Sequence, residues 1–494
     1  MEQGQEYATF GRQVGYVICG NIAILLLGFI QIPILTKGLG AKLYGTWSLI
    51  NVTISLIVPF ALLGFSASIV RFLAAEKDMG RRREDFLSVC SIVFISGTVF
   101  SLILFFLSNF LAASILKDVK SSSYIKLASI LILLNSMHAL PLAFFRMRRR
   151  IRLRTMFTVI YNASQVCLIA ASIMLGYELT GVIAALIING VLFNLITLLI
   201  ILRQNGFHLP RFSHMKSYLK WGIPLTPNSA ILWIIQSSDR YMVSYYLGVS
   251  AAGIYSAAYG IGNYATFVLM PLATVLYPTI AKSYDEENLS QTQNYLKYSI
   301  KYLMMITIPS AFGLSVLVKP LLQILTTHEF ALGSTVVPFV AFGTVLFSFY
   351  QICVYIIHLV RKTEITVKLL GTSAALNIIL NLVLIPRIGI MGAAVATLVA
   401  YGVLGFLTLI VTRRYLKFDL SLLFMVKSVF SSIIMAIYVW LINPQSIAAV
   451  ITSVFTGGAI YLGLLLLVKA LSKEELNFFI AFTKGNLRKI YVAE

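Results

Sequence analysis

Long apolar segments of about twenty residues, repeated along the whole chain, constrain the fold more than any other feature of this sequence. Segments 92–107 and 183–202 are examples that show no alternation of polar and apolar residues. A helix of about 20 residues spans the ~30 Å hydrocarbon core of a bilayer and satisfies its own backbone hydrogen bonds there. A transmembrane barrel would instead alternate polar and apolar residues. The pattern therefore predicts an all-α polytopic membrane protein with about fourteen transmembrane helices.

Composition supports this class and excludes several others. Hydrophobic residues make up 59% of the chain and charged residues only 12%, about half the charged fraction of a soluble domain. The four cysteines lie in separate apolar segments without a C-x-x-C pair, which excludes a zinc or disulfide framework. The chain has no Walker A motif and no compact acid/base set. We therefore predict a transporter without a cofactor rather than an enzyme.

Lysine and arginine are distributed unevenly over the connections between the apolar segments. One set of connections holds the runs Arg81–Arg83 and Arg146–Arg154 and most of the other basic residues. The opposite set holds only Lys37, Lys42, Lys117, Lys120, Lys126, Lys319 and Arg387. Because cytoplasmic connections carry the excess of basic residues, both termini are predicted to be cytoplasmic, as in a multi-pass inner-membrane protein. Topology explains the net charge of +21 better than nucleic-acid binding does.

Two stretches of the chain resemble each other. Residues 39–48 resemble residues 247–256, with Gly40 aligned to Gly248, and Gly181 later aligns with Gly392 at nearly the same offset. A duplicated unit of about six helices inserts both copies in the same orientation, as in transporters with parallel repeats. The predicted parts are an N-terminal six-helix bundle over 1–202, a cytoplasmic linker over 203–220, a C-terminal six-helix bundle over 221–414, two additional transmembrane helices over 415–468, and a cytoplasmic amphipathic tail over 469–494. The tail opens with a capping-box pattern, Ser472 to Glu475.

Three stretches carry a resemblance to a known family. They are the run 239–248 (DRYMVSYYLG) with 253–256 (GIYS), the run 270–281 with its Met-Pro-Leu and Tyr-Pro-Thr-Ile-Ala segments, and the run 376–397 from Leu376 to Thr397. From about residue 10 to 468 the sequence resembles the polysaccharide transporters, or O-antigen-type flippases. That family shares a superfamily with multidrug and toxin extruders and lipid II flippases.

The resemblance implies a function as well as a fold. It implies two six-helix bundles around a central cavity, with two further helices at the C-terminal side. It also implies alternating-access translocation of a polyprenyl-diphosphate-linked oligosaccharide from the cytoplasmic to the outer leaflet, for cell-surface polysaccharide assembly. A glycan polymerase and glycosyltransferases would be the partners in such a process.

Asp239 and Arg240 are the strongest candidates for a functional site, because charges inside a membrane span are costly unless paired or hydrated. Arg240 is expected to bind phosphate, for which a guanidinium group is well suited. Asp239 is expected to bind a coupling ion, Na⁺ or H⁺. Adjacent residues point roughly 100° apart on a helix, so we do not expect the two to neutralise each other on one face. The alternative is a structural ion pair or anchoring at the membrane interface.

Five further residues are candidates for substrate binding. Lys37, Arg71 and Arg146 lie at the ends of predicted spans, where they could contact phosphate or anchor the helix at the interface. Asn263 could donate hydrogen bonds to sugars, and Tyr259 could stack on a sugar ring. Helix packing is the more common role of such side chains in membranes.

Two other functions compete with the flippase. A cation-coupled multidrug-type antiporter of the same superfamily would favour acidic residues in its cavity, whereas the candidates here are mostly neutral or basic. A membrane-bound glycan polymerase or ligase would need a large loop or a compact acid/base set, which the sequence lacks.

The predicted orientation can be tested by labelling single cysteines in a cysteine-free background. A cysteine at position 205 should be protected from a membrane-impermeant reagent added outside intact cells, because basic connections stay in the cytoplasm. A cysteine at position 120 should be labelled. The reverse pattern would contradict the orientation.

Overall fold

Long apolar helices account for nearly all of the chain in its structure, a computed structural model that describes residues 2–74, 76, 78–205, 209–472 and 475–477. The first part of the chain forms α1 (Glu2–Ala61), α2 (Phe65–Ser68), α3 (Met79–Leu111), α4 (Ser122–Ala128), α5 (Ile130–Met147), α6 (Ile151–Met174) and α7 (Glu178–Asn205). The second part forms α8 (Met215–Gly222), α9 (Thr226–Leu247), α10 (Val249–Asn263), α11 (Leu269–Asp285), α12 (Leu289–Leu325), α13 (Val336–Leu359), α14 (Thr363–Ile388) and α15 (Ile390–Arg413). The last two helices are α16 (Leu422–Ile442) and α17 (Ile447–Leu467), and the described residues contain no strand.

Eleven helical segments of the described residues are long and apolar enough to cross a membrane. The first, Gly15–Ala61, is divided at Gly40 into two legs. Two further pairs of consecutive helices are each joined by a 3₁₀ turn. Ile223–Leu225 joins α8 to α9, and Tyr264–Val268 joins α10 to α11. The protein is therefore an all-α polytopic membrane protein. This arrangement is consistent with about fourteen crossings, while the count itself stays a prediction.

The two turns at Gly40 and Gly248 have the same backbone conformation. Gly40 has φ 67° and ψ 174°, and Gly248 has φ 90° and ψ 166°. Only glycine adopts this region without a steric penalty, so the repeated Leu-Gly pair encodes the same sharp turn twice. The end of the bundle that contains these turns is called the Gly40 end. The opposite end, which carries Arg81–Arg83 and the α5–α6 turn, is called the basic end.

The two copies of the repeat pack on each other through α1 and α10. A Cβ atom added to Gly45 would lie 2.1 Å from the carbonyl oxygen of Val249, and one added to Gly253 would lie 2.3 Å from that of Ala41. Ser48 Oγ donates to Ser256 Oγ at 2.7 Å, and these two serines are 208 positions apart. Contacts between equivalent residues mark a twofold axis. We call the contact formed by Gly45, Ser48, Gly253 and Ser256 the seam.

Other bonds between the halves lie near the seam. Lys37 Nζ donates to the carbonyl of Ile324 at 2.8 Å, at the end of α12. The hydroxyls of Thr53 and Tyr241 are 2.5 Å apart, and Trp233 Nε1 donates to the carbonyl of Val52 at 3.0 Å. These contacts join α1 to α9 and α12, so the halves are held together from the Gly40 end to the level of Thr53.

The chain after α17 is fixed to the second half by a buried ion pair. Lys301 Nζ in α12 lies 2.6 Å from Glu475 Oε1, and the two side chains are 10% and 6% exposed. The backbone N–H of Ser472 donates to Glu475 Oε2 at 2.7 Å, and that of Glu475 donates to Ser472 Oγ at 3.2 Å. The capping box is therefore confirmed. Most of the amphipathic helix expected after it lies outside the described residues, and the proposed boundaries of the five parts stay predictions.

Gly253→Ala should weaken the closed seam, because the added methyl group would overlap the backbone of α1. Overpacking of this kind costs about 1–3 kcal/mol, which shifts a two-state equilibrium by about fivefold to roughly a hundredfold. A cysteine at position 48 of the cysteine-free purified protein should then react faster with a thiol reagent. Gly260→Ala is the matched control, because a Cβ at Gly260 meets no atom within 4 Å. Equal reaction rates in the two variants would contradict a seam held by backbone contact.

Candidate functional site

Asp239 and Arg240 lie in α9 and form an ion pair with each other. Asp239 is fully buried and the Arg240 side chain is 12% exposed. Arg240 Nη1 lies 3.9 Å from Asp239 Oδ1 and donates to the carbonyl of Gln236 at 2.9 Å. The expectation that adjacent residues would not neutralise each other is wrong, because the long arginine side chain folds back along the helix toward the preceding turn.

Tyrosines from neighbouring helices surround this pair. Tyr255 of α10 donates its hydroxyl to Asp239 Oδ2 at 2.5 Å. The Arg240 guanidinium carbon lies 4.5 Å from the centre of the Tyr259 ring, which is also on α10. Tyr44 of α1, in the other half, lies within electrostatic range of Arg240. Cation–π contact and charge-assisted hydrogen bonds compensate part of the cost of burying the two charges.

A chain of polar side chains leads from Asp239 through α15 to α14. Thr397 Oγ1 lies 3.5 Å from Asp239 Oδ2, and Asn377 Nδ2 donates to Thr397 Oγ1 at 3.4 Å. Asn381 Nδ2 donates to Asn377 Oδ1 at 3.0 Å. All four residues are at most 1% exposed. Asn381 Oδ1 is buried without a hydrogen-bond partner among the described residues, and an unsatisfied buried acceptor of this kind is uncommon in native proteins.

These four residues carry oxygen atoms of the kind that hard cations prefer, and cation binding at Asp239 stays a prediction. Carboxylate, amide and hydroxyl oxygens are the ligands that hard cations prefer. The described residues contain no cluster of three or more His, Cys, Asp or Glu side chains, so a transition-metal site is not supported there. Asp239 would supply the charge, and Asn381 Oδ1 would supply an oxygen that has no other partner.

The structure does not bring the remaining candidates to this pair, except Tyr259. Lys37 is exposed at the Gly40 end, bonded to Ile324, and Asn263 is exposed one turn beyond Tyr259. Arg71 and Arg146 lie at the basic end of the first half. The roles of all these residues in substrate binding stay predictions.

Arg71 and Arg146 contact aromatic and backbone groups near the break after α1. The Arg71 guanidinium carbon lies 4.9 Å from the ring centre of Trp221 in α8. Arg146 Nη2 donates to the carbonyl of Ser66 at 3.3 Å. Arg154, which we did not single out from the sequence, lies within electrostatic range of Arg146. The basic end therefore carries its own group of guanidinium groups, separate from Arg240.

An apolar groove of about 440 Å³ lies between α12, α16 and α17. Its walls include Gly313 and Leu317 of α12, Val439 of α16 and Gly457 of α17, and it ends at Tyr264. The Tyr264 ring also packs on Phe29 of α1, with ring centres 5.4 Å apart. Tyr44 lies within electrostatic range of both Tyr264 and Arg240. The groove thus extends from α12, α16 and α17 to a residue that contacts α1 of the first half.

Sequence reasoning missed how the site is completed. Asn377 and Asn381 are four residues apart in an apolar run, and this spacing alone places them on one helix face. Tyr255 and Thr397 carry no comparable signal, because their contacts with Asp239 depend on how α10 and α15 pack against α9.

The fold and the site define a membrane protein of two related helical halves, with a buried ion pair beside their contact and two additional C-terminal helices. The chain belongs to the family described as Polysaccharide biosynthesis protein, whose sequence model matches residues 10–284. The MatE model matches a shorter region, residues 224–383.

Curated relatives include flippases. The chain is 24% identical over 266 residues to the probable low-salt glycan biosynthesis flippase Agl15 of Haloferax volcanii, covering 52% of this chain and 56% of that protein. It is 30% identical over 267 residues to the probable lipid II flippase MurJ of Rhizobium meliloti, covering 49% and 48%. The matched regions thus span about half the length of these relatives.

Solved structures share the fold over most of the chain. The lipid II flippase MurJ in an inward closed conformation superposes with a TM-score of 0.75 at 17% identity, over 90% of this chain and 98% of that one. An inward-facing MATE-family multidrug resistance transporter of the MOP superfamily gives 0.68 at 14% identity, over 80% and 94%. At these identities the likeness concerns the fold.

If a cation binds at Asp239, the thermal stability of the protein should depend on which cation the salt supplies. Replacing choline chloride with NaCl at constant ionic strength should raise the Tm of the purified protein, because a ligand that binds only the folded state stabilises it by mass action. Asp239→Asn and Asn381→Leu should abolish the increase. Asp118→Asn is the control, since Asp118 pairs with Lys42 at the Gly40 end and its pKa is lowered by that contact. An undiminished effect of Na⁺ in Asp239→Asn would exclude this site for sodium.

Proposed function

We propose that the protein is a flippase that moves a polyprenyl-diphosphate-linked oligosaccharide from the cytoplasmic to the outer leaflet for cell-surface polysaccharide assembly. The observation that carries the proposal is the buried guanidinium group of Arg240 at the contact between the halves, in a bundle whose apolar groove extends to Tyr264. The groove suits an apolar tail and the guanidinium suits a diphosphate. Membership of the polysaccharide biosynthesis family and the flippase names of the relatives support the same conclusion.

The proposed orientation places the basic end in the cytoplasm, following the excess of arginine there. Both termini are then cytoplasmic, in a cell or inner membrane. The Gly40 end faces outward, and the closed seam prevents passage on that side in this conformation. Alternating access requires the seam to open as the halves move against each other about the twofold axis.

The membrane potential favours the proposed direction of transport. A diphosphate carries about two negative charges, and moving them outward from a negative interior gains about 5 kcal/mol per 100 mV if they cross uncompensated. The protein therefore needs mainly to lower the barrier, and a positive group beside the path does this by replacing part of the hydration of the phosphates. Binding of a cation at Asp239 would weaken the Asp239–Arg240 pair and make the guanidinium available to substrate.

Partners are proposed from the same chemistry. A flippase of this kind receives its substrate from glycosyltransferases at the cytoplasmic surface, and a glycan polymerase uses the product on the other side. The lipid-linked substrate would contact the groove through its apolar tail and Arg240 through its diphosphate, and the bilayer would surround the protein.

A cation-coupled multidrug-type antiporter is the second candidate. The MatE match over residues 224–383 and the likeness to MATE-family structures favour it. A cationic drug would need an available acidic residue, whereas Asp239 is buried and bonded to Arg240 and Tyr255. The antiporter is therefore the weaker proposal.

Substitutions at Arg240 test the flippase. Arg240→Ala should lose most of the translocation of a fluorescent lipid-linked oligosaccharide in proteoliposomes with an imposed potential, and Arg240→Lys should retain part of it because it keeps charge but loses bidentate geometry. Removing Arg240 also leaves Asp239 buried and unpaired, which costs about 3–5 kcal/mol. The double variant Asp239→Asn/Arg240→Ala removes this cost.

The matched control is Arg387→Ala, which removes an exposed arginine at the Gly40 end. Wild-type rates of translocation in both the double variant and Arg240→Ala would assign Arg240 a structural role. Failure of the folded wild-type protein to translocate any lipid-linked oligosaccharide would contradict the flippase itself, and drug-driven cation exchange would then support the antiporter.

A further inference from the structure

Two antiparallel helices meet at the basic end of the first half. The rings of Phe86 in α3 and Phe144 in α5 lie 4.7 Å apart. Helix α3 begins at Met79 and α5 ends at Met147, so one helical turn beyond the ring pair, toward the basic end, lie Arg82 and Arg83 on one helix and Arg148 after the other. The ring contact therefore brings arginines from two separate basic runs to the same place.

Three further arginines lie within electrostatic range of Arg148 there. The Arg148 guanidinium carbon is 5.5 Å from the centre of the Phe144 ring. Partial burial, together with the nearby charges of Arg150, Arg82 and Arg83, lowers the pKa of Arg148. We call Arg82, Arg83, Arg148 and Arg150 the arginine cluster.

The helix ends increase the positive potential at the arginine cluster. Helix α3 begins at Met79, just before Arg82 and Arg83, and α6 begins at Ile151, directly after Arg150. The N-terminus of a helix carries a partial positive charge, so basic residues are unfavourable in its first turn. Two N-termini that both carry arginines have a combined potential that an anion would relieve.

The neighbouring carboxylates contact other groups, and Arg82 Nη2 donates to the backbone carbonyl of Glu76. Asp78 accepts a hydrogen bond from the backbone N–H of Gly80 at 2.8 Å, and Glu84 Oε1 lies 3.6 Å from Arg211 Nη1. Asp85 accepts a hydrogen bond from the Tyr218 hydroxyl at 2.9 Å and contacts His214. Arg83 Nε is buried and has no hydrogen-bond partner among the described residues. The cluster thus combines crowded positive charge with a buried donor that lacks an acceptor.

We propose that the arginine cluster binds the phosphate of an anionic lipid headgroup in the leaflet at the basic end. Arginine matches phosphate oxygens in charge and geometry, and Phe144 provides an apolar base beneath Arg148. A lipid is favoured as the source because α3 presents exposed apolar side chains along the same helix, such as Phe94 and Ile95 at 53% and 62% exposure. Acyl chains can lie along this surface while the phosphate meets the guanidinium groups.

This site is separate from Arg240 and from the apolar groove. It lies on the α3 side of the first half, whereas Arg240 and the apolar groove belong to the second half. The positive-inside rule accounts for the number of arginines at this end, but it does not require arginines from two connections to converge. A bound headgroup would join the start of α3 to the α5–α6 turn and stabilise the first half.

The test measures lipid retention by the full-length protein. Purified protein is exchanged into mixed micelles of phosphatidylglycerol and phosphatidylcholine, and bound lipids are counted by native mass spectrometry. Wild type should retain phosphatidylglycerol preferentially, and Arg82→Gln/Arg83→Gln and Arg148→Gln should each lose at least about fivefold in affinity, in line with charge-assisted hydrogen bonds. Arg82→Lys/Arg83→Lys keeps both positive charges and should retain most of the binding. Retention in this variant shows that replacing the two arginines does not by itself disrupt the site.

Arg149→Gln is the matched control, because Arg149 is an exposed arginine in the same turn, outside the cluster. It should bind phosphatidylglycerol like wild type. A second arm titrates inorganic pyrophosphate in lipid-free detergent. Cluster-dependent retention of phosphatidylglycerol supports the proposal. Equal retention by wild type and the glutamine variants, or cluster-dependent binding of pyrophosphate without any lipid preference, overturns it.

Discussion

The backbone contact between α1 and α10 at Gly45 and Gly253 is the interaction on which the rest of the structure depends. Any side chain larger than hydrogen at either position would separate the two halves at the Gly40 end. The contact lies on the pseudo-twofold axis, as the bond between Ser48 and Ser256 shows. It brings Tyr44 of the first half near Arg240 of the second, and it closes one end of the bundle. Since membrane helices associate largely by close packing, a small-residue contact is well suited to hold and release the halves.

The buried ion pair of Asp239 and Arg240 lies beside this contact and depends on the side chains around it. Two charges in a membrane protein's interior are tolerated only with dense hydrogen bonding, and here Tyr255, Gln236 and Thr397 supply it. The polar chain continues to Asn381, whose Oδ1 has no partner among the described residues. The site is thus paired but incompletely satisfied, which is the condition in which a cation or a substrate could change its bonding.

Basic residues occur in three different settings in the protein. Arg240 lies deep, beside the contact between the halves, and is compensated by Asp239. The arginine cluster lies at the basic end, where burial and neighbouring charges lower the pKa of Arg148. The Lys301–Glu475 pair holds the segment after α17 against α12. The three groups have different surroundings, although all of them contribute to the net charge of the sequence.

The sequence by itself determined the membrane class, the helical fold and the repeat, because apolar segment length and the recurring Leu-Gly turns depend only on local chemistry. It also identified Asp239 and Arg240, since a charge within an apolar segment is visible without a structure. Only the tertiary structure decided their partners. Tyr255 and Thr397 reach Asp239 from separate helices, and the contact of Phe86 with Phe144 places Arg82 within electrostatic range of Arg148. The reason is physical: helix packing sets which faces meet and at what level, and periodicity within one helix carries no information about its neighbour.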